Sequence, residues 1–346
     1  MKATRLLGED WYGASLQLVR DTFLVMVEGE NDPNAFNYDF LAIAFDVTSH
    51  RPLGPVHSFD SLVRLSDFPS VGPEPVLAFT TRTSLMITDV RDGSVLRTFS
   101  LAHAGNRRYD ECDLALGSSG GRDLLFLHQG GHGPYDHSVL AVDLATGEQV
   151  PEMGCDHNRY REISERLTLR HDYLAWPSTE EVTEFWTDDF VVFDKPFIYV
   201  QRADDGSWVG KVGLDDCVPE YRDVEIAHAA GRTYLAEAGN IVTLPDLKPV
   251  FPEEDPWVVV SRVTEWGGRP VAVLVQEQSH FQPSRRLCHL FLDTDTPEQI
   301  VIPWSVPPQV HDLLATSDGT IVVSSAEGVH ILEIDPEGAA RAGRPV

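Results

Sequence analysis

One stretch decides the fold: residues 310–335, VHDLLATSDGTIVVSSAEGVHILEID. It predicts three short apolar strands, because its β-branched runs suit a pleated surface and its Ser-Asp-Gly and Ala-Glu-Gly segments favour tight turns. Three strands of this length cannot bury both faces of their own sheet. The unit therefore requires neighbouring sheets.

Weaker copies of this unit recur along the chain, each marked by a strand that ends at or near an acidic turn. They are Leu41–Asp46, Leu85–Asp89, Val139–Asp143, Phe197–Val200, Asn240–Leu244 and Cys288–Asp293. Asp46 and Asp89 are 43 residues apart, and Asp293 and Asp335 are 42 apart. Propeller blades of four strands repeat every 40–45 residues or so, and insertions lengthen their loops.

The repeat predicts an all-β fold: one seven-bladed β-propeller domain over residues 1–346, built of four-stranded antiparallel blades. The approximate blade boundaries are 11–56, 57–100, 101–153, 154–214, 215–254, 255–303 and 304–346. Lys2–Leu7 forms a strand-like segment ahead of the first blade. We expect it to complete the last blade as its outer strand and so to close the ring.

This pattern resembles the tryptophan-aspartate repeat and quinoprotein-like propeller superfamily over essentially the whole chain. The signatures of that family are absent, since its Trp position holds Phe45, Thr88, Val142, Leu292 and Ile334. The family's Gly-His pair before the inner strand is also missing. The resemblance implies mainly scaffolding proteins with a minority of enzymes, and it carries over no catalytic residue.

The charge balance narrows the range of partners. The chain has 54 acidic residues against 27 Lys and Arg, a formal net charge of −27. Such a field repels nucleic acid and anionic membranes and attracts a basic protein or peptide, or a small cationic ligand. A general adaptation for solubility is the alternative. With no signal-peptide or membrane-spanning segment and no disulfide framework among its four cysteines, the chain is expected to be cytoplasmic.

A second repeat, of the form Tyr-x-acid, precedes the inner strand of three consecutive blades. Its aromatic and acidic members pair as Tyr109 with Glu111, Tyr160 with Glu162, and Tyr221 with Asp223; Arg108 and Arg159 lie just upstream of the first two. Equivalent positions would form an arc at the mouth of the central channel. That arc can bind a cation or amine and supplies candidate catalytic carboxylates. The alternative is a repeated structural anchor of the loops.

Three histidines, His128, His132 and His137, fall within ten residues that join two strands of blade three. His157, in the neighbouring loop, is the best additional ligand. Imidazoles on a glycine-rich loop can bind a divalent metal, the one cofactor that the sequence suggests. The spacing matches no standard zinc signature, so exposed loop histidines are the alternative.

Two more segments are candidates on the same face. Residues 177–196, inserted in blade four, combine six acids with aromatic residues that include Phe185 and Trp186. They can dock on a partner or cover the channel mouth; the alternative is an extended hairpin whose aromatic residues pack on its own blade. In blade six, Glu277 and His280 are a conceivable acid–base pair, and an ordinary solvated loop is the alternative.

Two classes of function follow. The favoured one is a cytoplasmic interaction module that presents an acidic, aromatic loop face to a basic protein or peptide. The alternative is a metal-assisted lyase or hydrolase, or a small-ligand binder, with its site at the channel mouth. Propellers support both classes, so the architecture alone does not decide between them.

Overall fold

The structure, a computed structural model, describes residues 2–29, 40–68, 71–81, 84–101, 114–129, 138–151, 155–156, 167–186, 189–213, 224–237, 239–250, 258–279, 282–294, 299–307, 309–337 and 339. The chain separates into two compact units. Unit 1 comprises residues 1–60 and 227–346, and unit 2 comprises residues 61–226. No helix within these described ranges is long and apolar enough to span a membrane.

The first part of unit 1 contains the N-terminal strand, a short 3-10 helix and one complete sheet. The N-terminal strand is β1 (Lys2–Leu7), and the helix is Glu9–Trp11. The sheet is formed in chain order by β2 (Ser15–Val19), β3 (Thr22–Glu28), β4 (Phe40–Asp46) and β5 (His57–Phe59).

Unit 2 contains three antiparallel sheets. The first is formed by β6 (Arg64–Ser66), β7 (Val76–Thr80), β8 (Ser84–Asp89) and β9 (Val95–Ser100). The second is formed by β10 (Leu114–Ser119), β11 (Arg122–Gln129), β12 (Ser138–Asp143), β13 (Glu148–Gln149) and β14 (Cys155–Asp156). The third is formed by β15 (Thr168–Arg170), β16 (Tyr173–Trp186), β17 (Asp189–Arg202) and β18 (Trp208–Gly213). In the second sheet, β13 and β14 pair with different residues of β12 and so share the outer strand position.

Three more sheets follow, and all of their strand residues except Glu225 and Ile226 belong to unit 1. The fifth sheet is formed by β19 (Glu225–Ala229), β20 (Arg232–Glu237), β21 (Asn240–Leu244) and β22 (Lys248–Pro249). The sixth is formed by β23 (Val258–Trp266), β24 (Arg269–Ser279), β25 (Gln282–Phe291) and β26 (Ile300–Val301). The last contains β27 (Asp312–Ala315), β28 (Thr320–Ser325) and β29 (Gly328–Glu333), which correspond to the three strands predicted from residues 310–335.

The N-terminal strand completes this last sheet, as the sequence predicts. β1 runs antiparallel to β29, from Lys2 opposite Glu333 to Leu7 opposite Val329. The sheet order is therefore β1-β29-β28-β27, with β1 as the outer strand. The last sheet thus joins segments from both ends of the chain.

In both units, inner strands of several consecutive sheets lie beside one another. In unit 1 the strand β27 contacts both β23 and β2, so the last sheet is adjacent to the first. In unit 2 the strand β10 contacts both β6 and β15. Apolar clusters fill the space between consecutive sheets: Phe23 packs with Leu314 and Val322, and Trp176 packs with Phe126. Seven sequential sheets that pack in this way define a seven-bladed β-propeller, and the predicted fold class is confirmed.

The acidic residue at the end of the third strand has a local structural role. The carboxylate of Asp143 accepts hydrogen bonds from the backbone N–H of Ala145 (2.8 Å) and Thr146 (3.3 Å). Asp46 accepts from Ser49 N–H (2.6 Å), and Asp89 accepts from Arg91 N–H (2.7 Å). These bonds close the turn to the fourth strand. The repeated acid is therefore a turn former in these blades.

Candidate functional site

The structure places only part of the sequence-predicted site. The following candidates lie outside the described residues: Arg108, Tyr109, Glu111, His132, His137, His157, Arg159, Tyr160, Glu162, Tyr221, Asp223 and His280. Their proposed contacts therefore stay predictions. Four candidates fall in strands: His128 in β11, Phe185 and Trp186 in β16, and Glu277 in β24.

The described strands do establish where the Tyr-x-acid repeat falls in the blade pattern. One copy lies in sequence between the outer strand β9 and the inner strand β10. The next two lie between β14 and β15 and between β18 and β19. All three therefore occupy the same connection, from the outer strand of one blade to the inner strand of the next.

The third blade of unit 2 carries an unusually long hairpin. β16 and β17 pair continuously from Tyr173 opposite Arg202 to Trp186 opposite Asp189. The inner strand β15 pairs with β16 only as far as Ala175, and the outer strand β18 pairs with β17 only from Phe197 onward. Residues 176–186 and 189–196 thus form a two-stranded ribbon, and no other described strand pairs with it.

A second candidate site lies in unit 1, at the ends of the blades where inner strands begin and second strands end. It consists of Tyr12, Glu277, Arg285 and His311, which we call the Arg285 cluster. Tyr12 precedes β2, His311 precedes β27, and Glu277 faces Arg285 across the β24–β25 hairpin. Three different blades therefore contribute to the cluster.

Arg285 is the centre of this cluster. Its Nε and Nη2 atoms donate to one oxygen, Oε1 of Glu277, at 2.8 and 2.5 Å. Its Nη1 atom is buried and has no hydrogen-bond partner in the described part of the chain. The pairing of Glu277 with Arg285 gives the carboxylate a cationic partner that the sequence interpretation, which paired it with His280, did not include.

His311 and Tyr12 form the exposed side of the cluster. Their rings meet edge to face with centroids 4.8 Å apart, and Tyr12 is 51% exposed. Partial burial and, second, the positive charge of Arg285 lower the pKa of the His311 imidazole below its usual range. His311 is therefore mainly neutral at pH 7.

The residue after His311 fixes the position of this cluster. Asp312, which is 3% exposed, accepts the backbone N–H of Leu16 at 2.7 Å with Oδ2. Its Oδ1 atom accepts the backbone N–H of Leu313 at 2.7 Å and Nη2 of Arg262 at 2.5 Å. One buried carboxylate thereby connects the inner strands β2, β23 and β27. The sequence interpretation did not predict that Asp312 connects blades. The signal that could have indicated this role is an acidic residue at the start of an inner strand.

The described residues contain no group of three or more His, Cys, Asp or Glu side chains arranged to hold a metal ion. The side chain of His128 is not among those described, and the other three predicted metal ligands lie outside the described ranges. The predicted divalent metal site thus stays a prediction.

Comparisons with known proteins identify remote structural similarities. No family model matches the chain, and no curated protein matches it significantly. Among solved structures, the β-propeller domain of the trilobed protease from Pyrococcus furiosus is 10% identical, with a TM-score of 0.48 over 93% of this chain and 97% of that one. Polysaccharide lyase Uly1 is 8% identical, with a TM-score of 0.49 over 94% and 90%. The WD40 domain of SCAP from fission yeast is 11% identical, with a TM-score of 0.41 over 93% and 81%.

These similarities are remote and concern the fold alone. The class of the protein follows from its own strand order and pairing, which define a seven-bladed β-propeller. The function must therefore be argued from this chain's own residues.

Proposed function

We propose that the protein is an interaction module and that the β16–β17 ribbon docks on a basic, partly apolar surface of a protein or peptide. The observation that carries this proposal is the length of the ribbon, which continues past the last residues paired with β15 and β18. A blade needs no such extension, because the last blade uses strands of only four to six residues.

The backbone of the ribbon supports docking. A strand without a neighbour presents a row of N–H and C=O groups that can pair with an added strand. Both edges of the ribbon lack such a neighbour among the described strands. A partner in extended conformation can therefore gain main-chain hydrogen bonds along either edge.

The composition of the ribbon supports a basic, apolar partner. Residues 177–196 contain six acids against one lysine, and they include Phe185 and Trp186. Phe185 is paired with Phe190, and Trp186 is paired with Asp189. Aromatic residues supply most of the energy of typical interfaces, while the carboxylates attract and orient a cationic partner.

The register defines a variant that tests the proposal. Ser178 lies opposite Phe197, so replacing residues 179–196 with an Asn-Gly turn should close a shorter hairpin. The probe is a fluorescent synthetic peptide of alternating Lys and Val, and binding is followed by fluorescence anisotropy. We expect the shortened protein to lose binding and to keep the melting temperature of the full-length one. Undiminished binding by a folded shortened protein would sink the proposal.

A matched pair of variants separates the ribbon from the general charge. The first carries Glu180→Gln, Glu181→Gln and Glu184→Gln in the ribbon. The second removes the same charge from exposed positions elsewhere, with Asp60→Asn, Glu74→Gln and Glu148→Gln. Only the first should weaken peptide binding substantially, because short-range complementarity exceeds screened long-range attraction at physiological salt.

The alternative of a metal-assisted enzyme or small-ligand binder has its own test. Elemental analysis of the purified protein, with a thermal-shift screen of divalent ions, would reveal a bound metal. A stoichiometric metal that is lost in a His132→Ala variant would favour this alternative over the interaction module.

A further inference from the structure

The backbone of the β16–β17 pair shows which of its N–H groups face outward. In an antiparallel pair, successive residues turn their N–H and C=O groups alternately toward the partner strand and away from it. The N–H of Ala203 donates to the carbonyl of Asp172 at 2.8 Å, across this pair. The N–H of Arg202 donates to the carbonyl of Ser207 at 2.8 Å, on the side of β18. Because the register of the pair has no interruption, the same alternation extends through the ribbon.

The alternation gives each edge of the ribbon its own set of outward N–H groups. On β17 the even-numbered residues face the side of β18, and on β16 the odd-numbered residues face the side of β15. The outward donors are Phe190, Val192 and Asp194 on the β17 edge, and Thr179, Glu181, Thr183 and Phe185 on the β16 edge. No described strand pairs with either set.

Two prolines occupy outward positions at the base of the ribbon. Pro177 lies two residues beyond Ala175, the last residue of β16 that pairs with β15. Pro196 immediately precedes Phe197, where the pairing of β17 with β18 begins. Proline lacks an N–H and is tolerated in a strand where its nitrogen faces an open edge. Both prolines therefore leave the internal ladder of the ribbon complete, and each interrupts an edge beside the end of a neighbouring strand.

The two edges differ in their surroundings. At the base of the β16 edge, the hydroxyl of Thr168 on β15 donates to the carbonyl of Val224 at 2.7 Å, and Val224 is 3% exposed. This edge therefore begins beside the entry to the inner strand of the next blade. At the base of the β17 edge, β18 ends at the exposed Gly213, and Trp208 on the same strand is 52% exposed. A partner can therefore reach the β17 edge from outside the blade.

We propose that an extended, basic segment of another protein pairs with the β17 edge and so continues the outer strand β18 along the ribbon. This inference rests on the proposed docking function and specifies its partner. The segment needs about five residues, whose carbonyl groups accept the N–H groups of residues 190, 192 and 194. Residues 177–196 contain six acids against one lysine, so Lys or Arg in the segment complements the ribbon in charge. Main-chain pairing supplies affinity, and the side chains of the segment supply specificity.

The test is a matched pair of proline substitutions at one level of the ribbon. Thr183 and Val192 are register partners, and their N–H groups face opposite edges. The probe is the fluorescent peptide of alternating Lys and Val, and its binding to the full chain is followed by fluorescence anisotropy. Val192→Pro should weaken binding at least about tenfold, because it removes a main-chain donor and places a ring against the added strand. Thr183→Pro should change binding by less than about twofold, because its N–H faces the other edge.

A further control separates the backbone from the side chain. Val192→Ala keeps the N–H group and should bind the peptide more tightly than Val192→Pro. If Val192→Pro does not fold, hydrogen exchange of the unaltered chain decides the matter. The peptide should then slow the exchange of the amides of residues 190, 192 and 194 and not that of residues 179, 181, 183 and 185. Weaker binding by Thr183→Pro, equal weakening by both prolines, or unchanged exchange on the β17 edge would overturn the assignment.

The shortened hairpin distinguishes this inference from the function on which it rests. If both proline variants bind the peptide fully and the shortened protein does not, the ribbon docks without strand pairing on the β17 edge. The inference then fails and the proposed function stands. If the folded shortened protein binds fully, the proposed function itself fails.

Discussion

Asp312 shows how one residue can connect several blades of unit 1. Its carboxylate accepts hydrogen bonds from two backbone N–H groups and one guanidinium, and both it and Arg262 are almost fully buried. A buried ion pair is expensive to desolvate, and breaking one by removal of a single partner is costlier still. Asp312 lies at the start of an inner strand, and its contacts make it a structural link between blades rather than a ligand-binding residue.

The variant Asp312→Asn should therefore lower the free energy of unfolding by about 3 kcal/mol, because Arg262 loses the carboxylate that faces it. The double variant with Arg262→Met should recover part of this loss, since the buried cation is then absent. Urea unfolding of the single and double variants measures this coupling. Strictly additive losses would contradict a direct pairing of the two side chains.

The buried residue His289 makes the stability of the protein depend on pH. Its ring, on β25, lies between Trp266 and Phe291, with centroids at 5.2 and 5.7 Å, and neither ring nitrogen has a hydrogen-bond partner among the described residues. Burial lowers the pKa of His289 to about 4. The unfolded chain takes up this proton near pH 6.5. The unfolded state thus binds more protons than the folded state between these two pH values.

Stability should accordingly fall as the pH drops from about 6.5 to about 4, by on the order of 3 kcal/mol from this one group. The variant His289→Phe should reduce the slope of unfolding free energy against pH in that window. Chemical denaturation at several pH values measures the slope, and the exposed His228→Gln variant serves as the control. An unchanged slope in His289→Phe would show that other groups cause the acid sensitivity.

Among the secondary-structure elements, the sequence predicts best the strands that are marked by residues close to them in the chain. The prediction of Val139–Asp143 is confirmed by β12, which ends at the same Asp143. This residue is recognisable because its carboxylate closes the next turn within three residues. Outer strands such as β13 and β26 are only two residues long, and their pairing depends on the neighbouring strand more than on their own sequence.

The candidate sites were harder to predict because their contacts are not local. Tyr12 and His311 are about 300 residues apart in the sequence but have their rings in contact. The pairing of Glu277 with Arg285 depends on the register of the β24–β25 hairpin, which residue types alone do not fix. The long insertion of blade four is recognisable from its composition, and an extended hairpin is one of the forms that the sequence predicts for it.

The docking of β1 on β29 depends on one glycine. Gly328 has a φ of +102°, and a Cβ atom there would lie 2.3 Å from the carbonyl oxygen of Leu7 and 2.4 Å from that of Gly8. Any side chain would therefore push away the end of the N-terminal strand. Gly147, in another turn, has a φ of +72° but no atom within 4 Å of the corresponding Cβ position.

We expect Gly328→Ala to lower the melting temperature more than Gly147→Ala, which should cost only the roughly 1–2 kcal/mol of a left-handed conformation. Deletion of residues 2–7 should also lower it sharply, because β29 then becomes an exposed edge. In a variant that lacks residues 2–8, which include both crowding carbonyl groups, Gly328→Ala should cost little more than Gly147→Ala. Scanning calorimetry of these variants tests the prediction, and equal losses with and without β1 would contradict it.

At the scale of the whole molecule, the net charge of −27 should govern how the melting temperature depends on salt. Self-repulsion destabilises a compact, highly charged chain more than an expanded one. The melting temperature should therefore rise between about 0.01 and 0.15 M NaCl, as the Debye length falls from about 30 to about 8 Å. The variant with Glu180→Gln, Glu181→Gln and Glu184→Gln should show a smaller rise, and a falling melting temperature would refute this explanation.

The pairing of β1 with β29 also determines when the last blade can fold during protein synthesis. Lys2 pairs with Glu333, so more than 300 residues must be translated before β29 is available to β1. At about 5–20 residues per second, this takes roughly 15 to 65 s, and during this time β1 cannot pair with β29. Its Lys2 and Arg5 charges disfavour pairing with other nascent chains in that interval. The last blade can therefore be completed only after β29 has been translated.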